Sequence, residues 1–405
     1  MIINDLFPDY GRASCNTGNM YITGLANMGA EGCLLQLMCD FYTESNPIFY
    51  FDDHLAREKK HQIIRNATSR GYRISDINNL SCFCMAFDLF SPFENLEEKA
   101  DIVYSFLSDK DDSLDLVNQL CRYFQDCILA LRGKGRHVSM KEVLNLSIED
   151  VKYGLHLSTE LDDFEKRDEM SFLEARETYR IWGIANDRAR RLKACGIIDI
   201  LSGTASAYDI FDKKVLVMVN QSVGTLDAAK ISLSLSNGFV SLLGKICEKR
   251  NDYNKPYHIF IKDSTELKSS QLEMLLNVTM NAPFALPLCI FDQSVTKTIS
   301  IHSSYFLDYF GSFSIFKTNE GAFWSEFLGT MLTPERTETY SRRRFPILAA
   351  SGGVLPRKNS RYEGTTVHRI EKPLYEARVF SALKEKCLIF YNVYSNRKSR
   401  KQLRW

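Results

Sequence analysis

Two glycines, Gly24 and Gly29, lie between a short apolar run and a helical apolar pattern, and this turn constrains the fold more than any other feature. The run before them, residues 20–23, has the length and composition of a buried strand. Residues 33–42 carry apolar side chains at helical spacing, and residues 48–51 form a second apolar run. A strand, a glycine turn, a helix and a strand in this order predict a β-α-β unit with a parallel sheet.

The remaining sequence divides into one helical segment and further strands. Residues 94–205 contain no proline and interleave charged with apolar residues at helical spacing, which predicts an all-α insertion. Further strand-like runs occur at residues 71–74, 82–87, 215–219, 259–261, 285–291, 312–317 and 387–391. The predicted fold class is α/β, a mostly parallel sheet flanked by helices with an inserted all-α domain. The predicted boundaries are 1–93 and 206–395 for the α/β domain, 94–205 for the insertion and 396–405 for a basic tail.

Composition and charge narrow the classes of function. With 51 basic and 50 acidic residues the formal net charge is +1, so no global field draws the chain to nucleic acid or to an anionic membrane. The 11 cysteines include no Cys-x-x-Cys pair, which is typical of reduced thiols in the cytoplasm. No apolar stretch approaches the ~20 residues that span a bilayer. We therefore expect a cytoplasmic protein without a membrane span of its own, brought to the inner membrane only through partners.

The glycine turn has the spacing of a phosphate-binding loop, in which Gly, four residues, Gly, Lys and Ser or Thr connect a strand to a helix. Backbone N–H groups hold the phosphates there, the lysine reaches the β and γ oxygens, and the hydroxyl ligates magnesium. In this chain Ala30 stands at the lysine position and Glu31 at the hydroxyl position. A carboxylate there repels a triphosphate, so the turn is either a degenerate nucleotide site or a purely structural turn.

A second element of such sites is an apolar strand that ends in Asp-Glu, where the Asp supports magnesium and the Glu activates water. Here the strand at 259–261 leads to Asp263 and Ser264, and a serine does not accept a proton near neutral pH. Lys262 is a nearby cation, but strand alternation points it opposite to Asp263, which argues against its replacing the missing lysine. The sequence therefore predicts that no catalytic residue remains.

These elements, in this order, resemble the cytoplasmic part of the type IV secretion coupling proteins, a family of hexameric RecA-like P-loop ATPases. The resemblance extends over residues 20–53, 87–93, 214–263, 291–294, 314–329 and 369–392, and over the helical segment. Residues 291–294, Phe-Asp-Gln-Ser, resemble the family's sensor strand ending in Gln-Ser. The resemblance implies a RecA-like P-loop nucleotide-binding fold in which Gly24, Gly29, Asp263 and Gln293 occupy nucleotide-site positions.

The departures from the family pattern imply a catalytically inactive member. Ala30, Glu31 and Ser264 replace the P-loop lysine, the P-loop hydroxyl and the catalytic glutamate. The resemblance then implies a scaffold or substrate-docking subunit in type IV secretion or conjugative DNA transfer. Its expected partners are other secretion proteins, among them a working coupling ATPase, and protein cargo or DNA, in an oligomer or hetero-complex. No cofactor is expected, although binding of ATP and magnesium without hydrolysis stays open.

Two other functions stay open from the sequence. One is a working hexameric translocase that completes its site with residues of a neighbouring subunit. The other is a module whose basic clusters bind nucleic acid or an acidic partner. The basic candidates are Arg188, Arg190, Arg191, Arg342, Arg343, Arg344, Arg397, Lys398, Arg400, Lys401 and Arg404. Cys82 and Cys84 share one face of a predicted strand, but zinc needs about four ligands, and no metal is expected.

Overall fold

The structure is a computed structural model of the 405-residue chain. It describes residues 4, 6–7, 18–25, 27–42, 45–52, 55–76, 86–109, 111–212, 214–220, 226–348, 354–394 and 397–403. Two compact units are present, Met1–Lys317 with Lys384–Trp405, and Thr318–Leu383.

A nine-stranded sheet forms the centre of the first unit. The strands of the chain are β1 (Asn19–Thr23), β2 (Ile48–Asp52), β3 (Arg73–Asp76), β4 (Phe87–Asp88), β5 (Ala205–Ser206), β6 (Val215–Asn220), β7 (His258–Lys262), β8 (Leu288–Asp292), β9 (Phe310–Ile315), β10 (Thr330–Leu348), β11 (Val354–Pro373), β12 (Cys387–Asn392) and β13 (Arg397–Gln402). The large sheet has the order β13-β12-β9-β1-β8-β7-β2-β6-β3. It is parallel from β9 to β3, and β12 and β13 add antiparallel strands at one end. The predicted mostly parallel sheet is confirmed.

Burial on both faces explains why the central strands are continuous apolar runs. β1, β2 and β8 are buried at every position, and β7 is buried at every position except Lys262. A parallel sheet lies between layers of helices, so its strands need apolar side chains on both sides. The exception at Lys262 places a charge at the carboxyl end of a central strand, which is where ligands bind in sheets of this kind.

Fifteen helices are described. They are α1 (Ala30–Phe41), α2 (Arg57–Ser69), α3 (Leu96–Leu107), α4 (Leu114–Gly133), α5 (Met140–Val143), α6 (Ile148–Leu157), α7 (Asp163–Glu174), α8 (Arg176–Ala194), α9 (Ile197–Ile200), α10 (Ala207–Phe211), α11 (Leu226–Asp252), α12 (Ser269–Met280), α13 (Val295–Ile301), α14 (Gly321–Phe327) and α15 (Ala377–Ser381). Short 3-10 helices span Ser264–Glu266 and Phe306–Tyr309.

The predicted helical insertion is present as the run α3 to α9. Five of these seven helices begin at a side chain that accepts a hydrogen bond from the first turn, which satisfies N–H groups without a partner inside the helix. These caps are Asn95, Ser113, Ser139, Ser147 and Asp162. The run belongs to the same compact unit as the sheet, so its limits at residues 94 and 205 stay a prediction.

The expectation of a separate basic tail is wrong for Arg397–Gln402. This segment is β13, which pairs antiparallel with β12. Lys401 donates a hydrogen bond to the carbonyl oxygen of Leu6 at 3.0 Å, and its ammonium lies 4.9 Å from the ring centre of Phe390. Lysine and arginine suit a strand at the edge of a sheet, because their charge discourages pairing with another chain.

The second unit contains α14, α15 and a two-stranded antiparallel hairpin of β10 and β11. Helix α14 ends at Phe327. Gly329 takes a left-handed φ of 78°, which ends a helix, and β10 follows at once. Most of the strand predicted at 82–87 lies outside the described residues.

Two helical glycines provide a matched test of packing in the helical insertion. A Cβ at Gly154 in α6 would lie 2.4 Å from the carbonyl oxygen of Ala130 in α4, whereas nothing lies within 4 Å of a Cβ at Gly183 in α8. We expect Gly154→Ala to lower the free energy of unfolding by about 1–3 kcal/mol through overpacking. Gly183→Ala should leave it unchanged or raise it by up to about 1 kcal/mol. Urea denaturation of both variants measures this, and equal effects would contradict the described packing.

Candidate functional site

The segment between β1 and α1 has the backbone of a tight glycine turn. The φ angles are 153° at Gly24, 64° at Asn27 and 101° at Gly29, values that glycine and asparagine tolerate better than other residues. Helix α1 begins directly afterwards, at Ala30. The strand, the turn and the helix predicted here are confirmed. As in any helix, the N–H groups of the first turn have no acceptor within the helix, which is the feature that anion-binding loops use.

The loop packs against its own chain at both glycines. A Cβ at Gly24 would lie 2.6 Å from the Cβ of Phe316, and one at Gly29 would lie 3.2 Å from the Cα of Lys386. The Leu25 N–H donates to the carbonyl oxygen of Lys317 at 2.7 Å, and the Lys386 N–H donates to that of Met28 at 3.1 Å. Close packing therefore explains both glycines without a nucleotide, and part of the loop backbone is already hydrogen-bonded to the protein.

Glu31, at the position of the magnesium-binding hydroxyl, is bound by two lysines of this chain. Its Oε1 lies 2.7 Å from Nζ of Lys59 in α2 and 3.1 Å from Nζ of Lys262 at the end of β7. Partial burial opposes ionisation, but the hydrogen bond from Lys59 and the charge of Lys262 prevail and lower the pKa of Glu31 from its usual 4.5. Glu31 is thus ionised at neutral pH and forms an internal ion pair.

Lys262 connects this loop helix to the neighbouring strand. Its Nζ lies 3.1 Å from Oδ1 of Asp52, whose side chain is fully buried at the end of β2. Asp52 also accepts a hydrogen bond from the Tyr50 hydroxyl at 2.7 Å. Burial opposes the charge of the ammonium, but Asp52 and Glu31 outweigh it and raise the pKa of Lys262.

Strand alternation argued against Lys262 replacing the missing lysine, but it did not reveal the contact of Lys262 with Glu31. Strand alternation tells on which face of the sheet a side chain lies. The first turn of α1 lies against the face that carries Lys262, so Nζ of Lys262 reaches Glu31. The sequence rule excluded a contact with Asp263 and could not identify the helix on the other side. Lys262 is nevertheless engaged by two carboxylates and does not stand as a free phosphate ligand.

The four charged groups at the loop compensate one another. Two cations, Lys59 and Lys262, face two anions, Glu31 and Asp52, so their formal charges cancel. A triphosphate would bring several negative charges next to the two carboxylates. Within this cluster, the attraction would have to come from lysines that already pair with those carboxylates. Within this cluster, a triphosphate would therefore meet no uncompensated positive charge.

Asp263 and Ser264 form hydrogen bonds within the chain. Asp263 leaves the strand with a φ of 62°, and its carboxylate accepts a hydrogen bond from the Thr265 N–H at 3.2 Å. The buried Ser264 donates from its N–H and its hydroxyl to the carboxylate of Asp292 at 2.7 and 2.8 Å. Burial raises the pKa of Asp292 to about 6, and the charge of Asp263 adds to the effect although the bonds from Ser264 reduce it. Ser264 thus acts as a donor to Asp292 and not as a general base.

The parallel strands bring the sequence-predicted site residues to one edge of the sheet. β1, β8 and β7 are neighbours and end together, so the loop at Gly24, the Asp263-Ser264 pair and Gln293 all follow the carboxyl ends of adjacent strands. Gln293 is exposed there. Sequence reasoning did not include Asp52, Lys59 or Asp292 in the site. Asp52 could have been identified from the sequence, since it ends an apolar strand. Lys59 could not, because it lies in a helix that was not predicted.

The arginine cluster in α8 is only partly available to a ligand. Arg188 donates to Asp112, whose side chain is 2% exposed, with Nη2 at 2.6 Å from Oδ1. Arg191 pairs with Asp187 one turn earlier at 2.7 Å. Arg190 is exposed. The Arg188 guanidinium therefore forms an ion pair within the helical insertion and is not available as a phosphate contact.

The other basic candidates lie on β10 and at the C-terminus. In β13, Arg400 is exposed, and the ammonium of Lys398 lies 4.9 Å from the ring centre of Tyr391. The side chains of Arg342, Arg343, Arg344 and Arg397 lie outside the described part of the structure, as does all of Arg404.

In the described ranges, no group of three or more His, Cys, Asp or Glu side chains could hold a metal ion. No helix in those ranges is long and apolar enough to cross a membrane. Cys82 and Cys84 fall outside them.

The ion pairs at the loop predict unequal effects of two lysine substitutions. Lys262→Met removes the cation that faces the fully buried Asp52 and should lower the free energy of unfolding by about 3 kcal/mol. Lys59→Met is the matched control: this side chain is 45% exposed and bonds only to Glu31 in the cluster, so its loss should cost less than about 1 kcal/mol. Urea denaturation at neutral pH compares them. An equal or reversed order would show that Lys262 does not neutralise Asp52.

Comparison with known proteins gives a result at the level of structure alone. No protein-family model matches the sequence, and no curated protein matches it. Among solved structures, the bacterial conjugative coupling protein TrwBdeltaN70 in its trigonal form with sulphate is 10% identical, with a TM-score of 0.67. The match covers 95% of this chain and 84% of that one. Its unbound monoclinic form is 12% identical with a TM-score of 0.58, at the same coverage.

A second kind of protein, VirB4, also matches this chain in structure. VirB4 of Thermoanaerobacter pseudethanolicus is 9% identical with a TM-score of 0.53, and the match covers 98% of this chain and 91% of that one. At such low identity a structural match establishes the fold and leaves the function to be argued from the site. The resemblance to the coupling proteins is confirmed at that level: the chain has the α/β RecA-like P-loop fold with a helical domain that TrwB and VirB4 share.

Proposed function

We propose that this chain is a non-hydrolysing relative of the conjugative coupling proteins, which acts as a scaffold or substrate-docking subunit in type IV secretion or conjugative DNA transfer. Its fold, shared with TrwB and VirB4, supports the coarse assignment. TrwB is described in complex with ADP and Mg²⁺, so this fold holds a nucleotide in that protein. The loss of hydrolysis is argued from the side chains at the loop.

The position of Glu31 carries the proposal. A carboxylate stands where a P-loop has its magnesium-binding hydroxyl, and Lys59 and Lys262 hold it there at 2.7 and 3.1 Å. In a working site a lysine and a magnesium ion supply the positive charge and the phosphates supply the negative charge. Here the protein supplies both the positive and the negative charges, because Lys262 also neutralises Asp52.

The size of the expected catalytic loss supports the same conclusion. Losing one preorganised charge-stabilising group typically slows a reaction by roughly 10²–10³-fold. Ala30 removes the phosphate-binding lysine, Glu31 removes the metal-binding hydroxyl, and Ser264 replaces the base while its hydroxyl donates to Asp292. Such losses need not be additive, but three of them at one site leave little turnover above background.

The helical insertion, α3 to α9, is the proposed docking part by analogy with the all-α domain of the coupling proteins. Its partners would be other secretion proteins, a working coupling ATPase among them, with protein cargo or DNA passed between them. Cytoplasmic residence, with the inner membrane reached through these partners, belongs to the same proposal. The nucleic-acid-binding alternative loses two of its candidate contacts, since Arg188 and Lys401 bind within the chain, whereas Arg190 and Arg400 are exposed.

Purification of the native complex tests this function. We expect an affinity-tagged chain to recover a separate secretion ATPase, identified by mass spectrometry, and the complex to hydrolyse ATP. Asp263→Ala in this chain should leave that rate within about twofold of wild type, since the proposed site contributes no transition-state stabilisation. The isolated chain should show no turnover above a buffer control.

Two outcomes would contradict the proposal. One is hydrolysis by the isolated chain that Asp263→Ala abolishes, which would make it a working translocase. The other is a complex with nucleic acid but with no secretion protein, weakening steeply as salt rises, which would make it a nucleic-acid-binding module.

A further inference from the structure

A cavity of about 520 Å³ lies among helices α3, α4, α11 and α12, away from the phosphate-loop remnant. One part of its lining is apolar and comes from Phe93, Ile102, Val117, Met274 and Val278. Pockets that hold small molecules commonly measure about 300–1,000 Å³ and combine an apolar lining with a few polar groups. The volume and the lining of this cavity both fit that description.

A small polar cluster lines another part of the cavity. Gln271 is 9% exposed and donates from Nε2 to the hydroxyl of Ser105 at 2.9 Å. The Ser105 hydroxyl also accepts a hydrogen bond from Ser241 at 3.2 Å. The amide oxygen of Gln271 is buried and receives no hydrogen bond from the described residues. Because this oxygen is covered by protein atoms, the hydrogen bonds of Gln271 and Ser105 fix the wall of the cavity and do not themselves contact a ligand.

The charged residues of the lining are mostly acidic. Glu98, Asp101 and Glu248 contribute three carboxylates, and Lys245 contributes one ammonium. Lys245 lies 2.8 Å from Glu98 and 3.3 Å from Glu248, so its charge is already shared between two of the three. The excess of negative charge favours a cation over an anion at this cavity.

We propose that this cavity binds a small ligand with an apolar body and an amine cation held by the acidic residues of its lining. Each part of the ligand answers one observation: the apolar wall and the excess of carboxylates. The site is independent of the phosphate-loop remnant, so it stands whether or not the chain hydrolyses ATP.

Calorimetric titration of the full chain with tryptamine tests the proposal, because this probe combines an apolar ring and an ammonium group. We expect saturable binding with one site per chain and a dissociation constant of about 1 mM or lower, given the small size of the probe. Indole-3-propionate, which carries a carboxylate in place of the ammonium, should bind at least roughly tenfold more weakly. Absence of saturable tryptamine binding, or equal affinity for both probes, would overturn the proposal.

Two methionines of α12 supply a matched pair of variants. Met274 lines the cavity and is 41% exposed, whereas Met280 is 42% exposed and is not among the residues that line it. Met274→Trp should fill the cavity and abolish tryptamine binding, and Met280→Trp should leave the affinity unchanged. Equal effects of the two tryptophan substitutions would place the probe elsewhere and contradict the assignment.

Discussion

The ammonium group of Lys262 holds the remnant of the phosphate loop together. It lies between Asp52, buried at the end of β2, and Glu31, in the first turn of α1, and so ties β7, its neighbouring strand and the loop helix at one point. Without this cation a buried carboxylate would have lost its counter-charge, which is among the costly changes in a protein interior. The same contact engages positive charge that a nucleotide would require, so the stability of the loop and the proposed loss of nucleotide binding would have one cause.

The rest of the loop is consistent with this reading. Gly24 and Gly29 keep the backbone of a phosphate loop, but their close neighbours are Phe316 and Lys386 of the same chain. The frame of the fold needs the tight turn, since β1 must pass into α1 within a few residues. The glycines therefore have a structural role that does not depend on a nucleotide.

How much of this could be predicted from sequence depends on whether the determining contacts are local. The β1-turn-α1-β2 unit follows from a glycine turn between apolar runs, because few other arrangements fit that pattern. The contact of Lys262 with Glu31 could not be predicted in this way, since strand alternation gives the face on which a side chain lies but not the helix that covers that face. β13 was interpreted as a tail because its charged residues lack an apolar alternation and its pairing with β12 is tertiary. The β10-β11 hairpin was missed for a similar reason, because cross-strand pairing stabilises it.

The central claim is that ion pairs within the chain occupy the positions of the phosphates and the metal. Calorimetric titration of the full chain with magnesium and ATP tests it most directly. The account predicts no saturable heat up to about 1 mM nucleotide, because Glu31 and Asp52 already neutralise the two lysines at the loop. Saturable binding of one nucleotide per chain with a dissociation constant in the micromolar range, lost on Lys262→Met, would contradict it.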